Sequence, residues 1–268
     1  MIARSYLYVP ANNLVMLKKA VNRGADALIV DLEDSVAAGD KELARQNLVS
    51  WLSDLETSTQ IWVRINAESI DEDLAFTSSE KIHGLVIPKA TVENVNYVAD
   101  KLNGKHVLSA LIESAESVLD AHRIATISSV AFLQIGILDL RAEMGLSEEE
   151  DLGTIHFALS HLVLASAAAG INQPIAPMFR DFNDLEALKE SCKRMRANGF
   201  FGRSCIHPMQ IETINSEFNT SAEALLEARE VLDAIAKSQG VALDSKGRMI
   251  DKASERIAKR VIESSRER

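Results

Sequence analysis

Two cysteines, Cys192 and Cys205, are all that this 268-residue chain contains, and neither belongs to a CxxC spacing. That excludes a disulfide framework and a cysteine-based zinc site, and makes a reducing, cytoplasmic setting the expectation. No run approaches the roughly 20 apolar residues that span a bilayer. The opening MIARSYLYVPANN has no long apolar stretch before Pro10, so neither a membrane segment nor a signal peptide is expected. Basic residues are outnumbered: 29 Lys and Arg stand against 39 Asp and Glu, a formal net charge of -10. A nucleic-acid binder would carry a basic stripe instead. An anionic small substrate stays open, because the local field at a site outweighs net charge. Low-complexity tracts and repeats beyond strand–helix alternation are absent.

What is present is a series of short apolar runs, each followed by a helical pattern. In ALIVDLEDSV (27–36) four apolar residues lead directly into Asp31, Glu33 and Asp34. Such a run neither alternates nor recurs every three or four residues, which reads as a strand of a parallel sheet covered on both faces. The same reading predicts strands at 6–9, 27–32, 61–65, 85–87, 107–112, 130–135, 171–177 and 200–206. Helical spacing is found at 14–23, at 41–55 (Leu43, Leu48, Leu52 and Leu55 on one side), at 155–169 before the cap Gly170, and at 222–238. Eight strand–helix units predict a (β/α)8 TIM barrel with a C-terminal helical extension. No GxGxxG follows the first strand, which disfavours an open dinucleotide-binding sheet. A barrel domain is expected over 1–220. The extension, 221–268, ends in a charged helical stretch and is expected to pack on a neighbouring subunit.

In such a barrel the active site lies at the C-terminal strand ends. The polar residues there are Asp31, Glu33 and Asp34 after strand two, Arg64 and Asn66 after three, Lys89 after four, Glu113 after five, Asp139 after six and His207 after eight. The carboxylates suit a hard cation such as Mg²⁺, which takes oxygen ligands. Glu113 and Asp139 leave adjacent strands and could ligate it. Glu33 and Asp34 could then accept hydrogen bonds from metal-bound water. The competing readings are structural: Asp34 as a helix cap, Arg64 as a partner of Glu33, His207 as a residue fixing its turn, Ser35 as a turn residue and Cys205 as core.

The ordered set RSYLYVPANN (4–13), GADALIVDLEDSV (24–36), KELAR (41–45), VRINA (63–67), GLVIPKA (84–90), LIES (111–114), IGILDL (135–140), GFFGRSCIHPMQI (199–211) and KGRMID (246–251) resembles the HpcH/HpaI aldolase and citrate lyase beta-subunit family. The resemblance implies a modified (β/α)8 barrel assembled as trimers or hexamers. It implies an oxo-acid lyase that uses Mg²⁺ to cleave a β-hydroxyacyl thioester of the malyl-CoA, citramalyl-CoA or citryl type. The products would be an oxoacid, such as pyruvate or oxaloacetate, and an acyl thioester such as acetyl-CoA. By motif, it places metal ligands on Glu113 and Asp139, and an arginine for the oxoacid and developing oxyanion on Arg64. Glu33 and Asp34 match residues around the metal waters. The amides of Gly136, Ile137, Leu138 and Asp139 match those that bind a substrate carboxylate, and Asp251 matches an acid/base delivered by a neighbouring subunit. Two departures stand out: PANNLVML lacks the family's basic residue after strand one, which bears on CoA phosphate contact, and Lys252-Ala253 replaces the residue and proline that usually follow MID. The stretch APMFRDFND (176–184) carries Arg180 and Asp181, which either set substrate choice or form a loop salt bridge. The resemblance also leaves room for a complex-dependent subunit acting on an acyl carrier, and for a CoA-independent aldolase on free oxoacids.

Overall fold

The computed structural model describes residues 3–147, 153–237, 242–243 and 249–266. The chain divides into two compact units, one formed by residues 3–218 and one by the terminal remainder from Asn219. Within the first, eight strands follow one another: β1 (Ser5–Pro10), β2 (Ala27–Asp31), β3 (Gln60–Arg64), β4 (Ile82–Ile87), β5 (Val107–Ile112), β6 (Val130–Ile135), β7 (Ile175–Ala176) and β8 (Gly202–Cys205). Every ladder between them is parallel, in the order β6-β5-β4-β3-β2-β1-β8-β7. This is a nearly closed TIM-type barrel. At the β6–β7 seam, the amide of Asn172 donates to Ala131 O at 3.0 Å just before β7 begins.

Helices fill the connections: α1 (Leu14–Ala20), α2 (Lys41–Ser53), α3 (Ile70–Leu74), α4 (Val92–Leu102), α5 (Ala115–Leu119), α6 (Ala121–Ala125), α7 (Ile137–Met144), α8 (Thr154–Ala169), α9 (Leu185–Ala197) and α10 (Ile211–Glu217). A large apolar core lies between strands and helices, with Leu28, Val30, Leu48, Val63, Leu85, Ile112 and Leu162 buried in it. The opposite strand faces point inward, as the period of two along a strand requires. There Tyr6, Ile29, Trp62, Val86, Leu111 and Phe132 form a second cluster that plugs the barrel. Gly84 makes room for the largest of these: a Cβ on it would lie 2.4 Å from the Trp62 ring.

Two expectations need correction. Strand seven is two residues long, not seven. The amide of Ile171 is spent on Ser166 O and that of Asn172 on Ala131 O, and Pro174 has no N–H to offer a ladder. Leu43 does not belong to the buried side of α2. It is 48% exposed, and the inward stripe is Ala44, Arg45, Leu48, Trp51 and Leu52. Arg45 enters that stripe because Asp73 accepts its Nε–H at 2.7 Å.

The second unit contains α11 (Ala222–Lys237), a short antiparallel pair β9 (Ala242–Leu243) and β10 (Met249–Ile250), and α12 (Lys252–Arg266). Lys246, Gly247 and Arg248 of the KGRMID motif lie outside the described residues. Among the described residues no helix is long and apolar enough to cross a membrane.

Candidate active site

The barrel interior changes character one pleat above its aromatic plug. Two residues beyond Tyr6, Ile29, Trp62 and Phe132 on the same inward faces stand Tyr8, Asp31, Arg64 and Gln134. Two beyond Leu111 stands Glu113. All five line a cavity of about 520 Å³ at the C-terminal strand ends, together with Asp34, the Gly136–Asp139 turn, Arg180 and Ser204.

Asp31 and Arg64 are register partners on adjacent strands. Arg64 grips Asp31 with two parallel bonds, Nε to Oδ1 at 2.6 Å and Nη2 to Oδ2 at 2.7 Å. Its Nη1 reaches Asp34 Oδ2 at 3.0 Å and Glu33 Oε2 at 3.1 Å. The positive charge among the DLED acids is therefore Arg64, and its principal partner is Asp31 rather than Glu33. Burial alone would push the Asp31 carboxyl up. The bonds and charge of Arg64, with Ser35 and the Glu33 amide, outweigh it and hold Asp31 below its ordinary value. Ser35 is the turn residue expected of it: its amide and hydroxyl both donate to Asp31 Oδ2. Below the guanidinium lies the Tyr8 ring, with its centroid 5.1 Å from Arg64 Cζ.

Glu33 is 4% exposed, and neither carboxylate oxygen has a hydrogen-bond partner. Arg64 at 3.1 Å and Lys89 Nζ at 3.8 Å supply charge without hydrogen-bond alignment. Burial, opposed by Arg64 and aided by Asp34 and Glu113, pushes its carboxyl up to about 7. Glu113 behaves alike. Burial is the main cause, Asp139 and Asp34 add repulsion, and its carboxyl also lies at about 7. One Glu113 oxygen accepts the Lys89 amide at 2.8 Å. Lys89 adopts φ +45 there, so the turn after β4 serves to aim this N–H. Gly136 completes the fit: a Cβ on it would stand 2.5 Å from Glu113 Oε1 and 2.7 Å from its Cγ.

These acids can be tested as holders of a hard cation. A buried glutamate with both oxygens unpartnered, a second buried glutamate raised by its acidic neighbours, and an exposed Asp139 on the first turn of α7 all oppose their own ionisation. A divalent cation would relieve that repulsion, and the all-oxygen donor set fits Mg²⁺. Among the described residues no three His, Cys, Asp or Glu side chains are grouped as ligands, so Glu113 and Asp139 would need water or substrate oxygens to complete a shell.

The remaining candidates separate. His207 is structural: its Nδ1 accepts the Met209 amide at 3.3 Å and its ring stacks on Phe182 at 4.6 Å. Asn66 turns its side chain to the Glu68 amide, away from the acids. Cys205 is buried in the core. Asp251 belongs to the second unit, where it is exposed and its Oδ1 accepts the amides of Ala253 and Ser254 at 3.0 and 2.9 Å, capping α12. Residues that the strand-end reading missed are Tyr8, Ser109, Gln134 and Ser204. Gln134 donates to Ser109 Oγ at 2.8 Å and accepts from Tyr8 Oη at 3.3 Å and Ser204 Oγ at 3.4 Å. They lie within strands rather than after them. The signal was available as polar residues two beyond apolar inward positions.

Known proteins share this arrangement of strands. L-malyl-CoA/beta-methylmalyl-CoA lyase of Rhodobacter capsulatus is 29% identical over 97% of this chain and 93% of its own. Human mitochondrial citramalyl-CoA lyase is 29% identical, over 92% and 81%. A (3S)-malyl-CoA thioesterase of Cereibacter sphaeroides is 32% identical, over 90% and 87%. Among solved structures, the protein CitE from Mycobacterium tuberculosis in complex with magnesium, acetoacetate and coenzyme A superposes with a TM-score of 0.80 at 29% identity, covering 98% of this chain and 97% of that one. The citrate lyase beta subunit of the same organism with oxaloacetate and magnesium gives 0.69 at 29% identity, over 81% and 96%. The HpcH/HpaI aldolase/citrate lyase profile matches residues 4–208. Because that match runs from the first strand to the turn after the eighth, and so includes every strand end at the cavity, the chain belongs to the HpcH/HpaI aldolase/citrate lyase family.

Proposed function

We propose that the chain is a Mg²⁺-dependent carbon–carbon lyase. It cleaves a β-hydroxyacyl thioester of the citramalyl-CoA, malyl-CoA or citryl type into a 2-oxoacid and an acyl thioester such as acetyl-CoA. The observation that carries this reading is the meeting of Glu113, Asp139 and Arg64 on one cavity, in a chain whose relatives include malyl-CoA and citramalyl-CoA lyases.

Glu113 and Asp139 would hold Mg²⁺, with Glu33 and Asp34 accepting hydrogen bonds from its waters. When bound, the ion supplies Lewis acidity and a template for the hydroxyl and carboxylate of the oxoacid half. The amides of Gly136, Ile137, Leu138 and Asp139, at the start of α7, offer donors to that carboxylate. Cleavage takes the proton from the β-hydroxyl and sends the bonding electron pair into the thioester half, which becomes an enolate. Arg64 is fixed beforehand by Asp31, so it can face developing negative oxygen without reorganising. Asp251, brought by the C-terminal unit of a neighbouring subunit, donates the proton that converts the enolate carbon to the acyl product. This makes the protein a homo-oligomer, a trimer or hexamer. The two free, buried thiols support a reducing compartment such as the cytoplasm.

The similarity to a malyl-CoA thioesterase favours a second reading, hydrolysis of the thioester. The test is a panel of malyl-, citramalyl- and citryl-CoA with and without Mg²⁺. Oxoacid release that needs the ion and is abolished in Glu113→Gln supports the lyase. Mg²⁺-dependent thioester loss with no oxoacid supports the hydrolase.

A further inference from the structure

Three arginines line the cavity: Arg64, Arg141 and Arg180. Arg64 is committed to Asp31, Asp34 and Glu33. Arg141 is tied back along its own chain, its Nη1 donating to Ser147 O. Arg180 is carried differently. It follows β7, which in the strand order lies half a circuit from β3, the strand that bears Arg64. The two cations therefore belong to opposite walls of the mouth.

The turn that carries Arg180 is anchored on both sides. Phe179 O accepts a bond of 2.7 Å from the side chain of Gln210, which is wholly buried. Phe182 stacks on His207 with rings 20° apart. Asp181 Oδ1 accepts the Asn183 amide at 3.0 Å, and Asp184 caps α9. An exposed arginine set on a fixed turn loses little entropy on binding an anion, and its planar fork suits a carboxylate. Elsewhere the cavity presents acids: Asp31, Asp34, Glu113 and Asp139. A second carboxylate on the substrate would be repelled beside any of these and accepted on the β7 wall.

We propose that Arg180 is the specificity-determining residue of this cavity and selects a 2-oxoacid half that carries a second carboxylate. This rests on the lyase reading and narrows it: the favoured cleavage yields oxaloacetate, from a citryl-type thioester, in preference to pyruvate or glyoxylate. The proposal accounts for the polar stretch after β7 by ligand recognition rather than by a loop ion pair.

The test measures oxoacid affinity calorimetrically, with Mg²⁺ present, for the full-length wild type, Arg180→Ala and Arg180→Lys. Wild type is expected to bind oxaloacetate about tenfold or more tightly than pyruvate. Arg180→Ala should remove that preference by weakening oxaloacetate, with pyruvate changed less than about twofold, and Arg180→Lys should restore part of it. Equal weakening of both oxoacids, or no change in their ratio, would overturn the proposal. So would a loss in Arg180→Ala confined to acetyl-CoA and absent for acetyl-pantetheine, which would assign the arginine to the CoA phosphates. Wild type that binds neither oxoacid, despite bound Mg²⁺, would instead defeat the lyase reading on which the proposal stands.

Discussion

Asp31 and Arg64 face each other across the β2–β3 ladder and are joined by two bonds of 2.6 and 2.7 Å, with Asp31 1% exposed. Removing one partner leaves the other charge buried and uncompensated. Asp31→Asn is expected to lower unfolding free energy by about 3–5 kcal/mol in denaturant titration. Arg64→Lys should keep the fold by circular dichroism and still lose most turnover, because an ammonium cannot form the paired bonds that aim it. Near-normal kcat/KM in that variant would make Arg64 structural only.

Gly136 is a packing requirement of Glu113. Its Cβ position is 2.5 Å from Glu113 Oε1, a contact that ordinary Cβ atoms do not make. Gly136→Ala should therefore displace the glutamate. The expected result is a Mg²⁺ affinity weaker by about tenfold or more, at an overpacking cost of about 1–3 kcal/mol. Unchanged affinity by titration would dissociate Glu113 from the metal.

The pH dependence of stability follows from Glu33 and Glu113, both raised from 4.5 to about 7. Between those values the metal-free folded chain holds protons that the unfolded chain has released. Their contribution is complete below about pH 4.5 and is lost as pH rises through 7. Mg²⁺ binds the ionised form, so its effect has the opposite sign. The rise in Tm on adding Mg²⁺ should be larger near pH 8 than near pH 5.5. An equal rise at both would mean that the ion sits away from these carboxylates.

Asp251 has two readings that a single substitution separates. As a cap it accepts the Ala253 and Ser254 amides, and the Ser254 bonds hold its carboxyl below the ordinary range. Asparagine caps equally well but cannot exchange a proton. Asp251→Asn is expected to preserve helix content and lose about a hundredfold or more in kcat. Full activity would confine Asp251 to capping. The in-trans reading adds that mixing Glu113→Gln with Asp251→Asn subunits restores part of the activity after exchange.

The barrel was legible because its strands are covered on both faces and so read as continuous apolar runs: 107–112 and 130–135 coincide with β5 and β6 residue for residue. Strand seven was overextended because apolar content does not reveal where backbone amides are spent. The acids of the cavity were visible at strand ends, since nothing else explains carboxylates there. Their wiring was not: that Asp31 rather than Glu33 takes the Arg64 fork depends on ladder register. The Tyr8–Gln134–Ser109 network was hidden because single polar residues inside apolar runs look like ordinary strand variation until inward and outward faces are known.

The most direct test of the central claim counts both products of one reaction. Wild type with Mg²⁺ and an active β-hydroxyacyl-CoA ester is sampled for 2-oxoacid and for free thiol in the same time course. The lyase account predicts one oxoacid per ester consumed and no free CoA, because the thioester survives in the acyl product. Free CoA appearing in step with ester loss, without oxoacid, would contradict it.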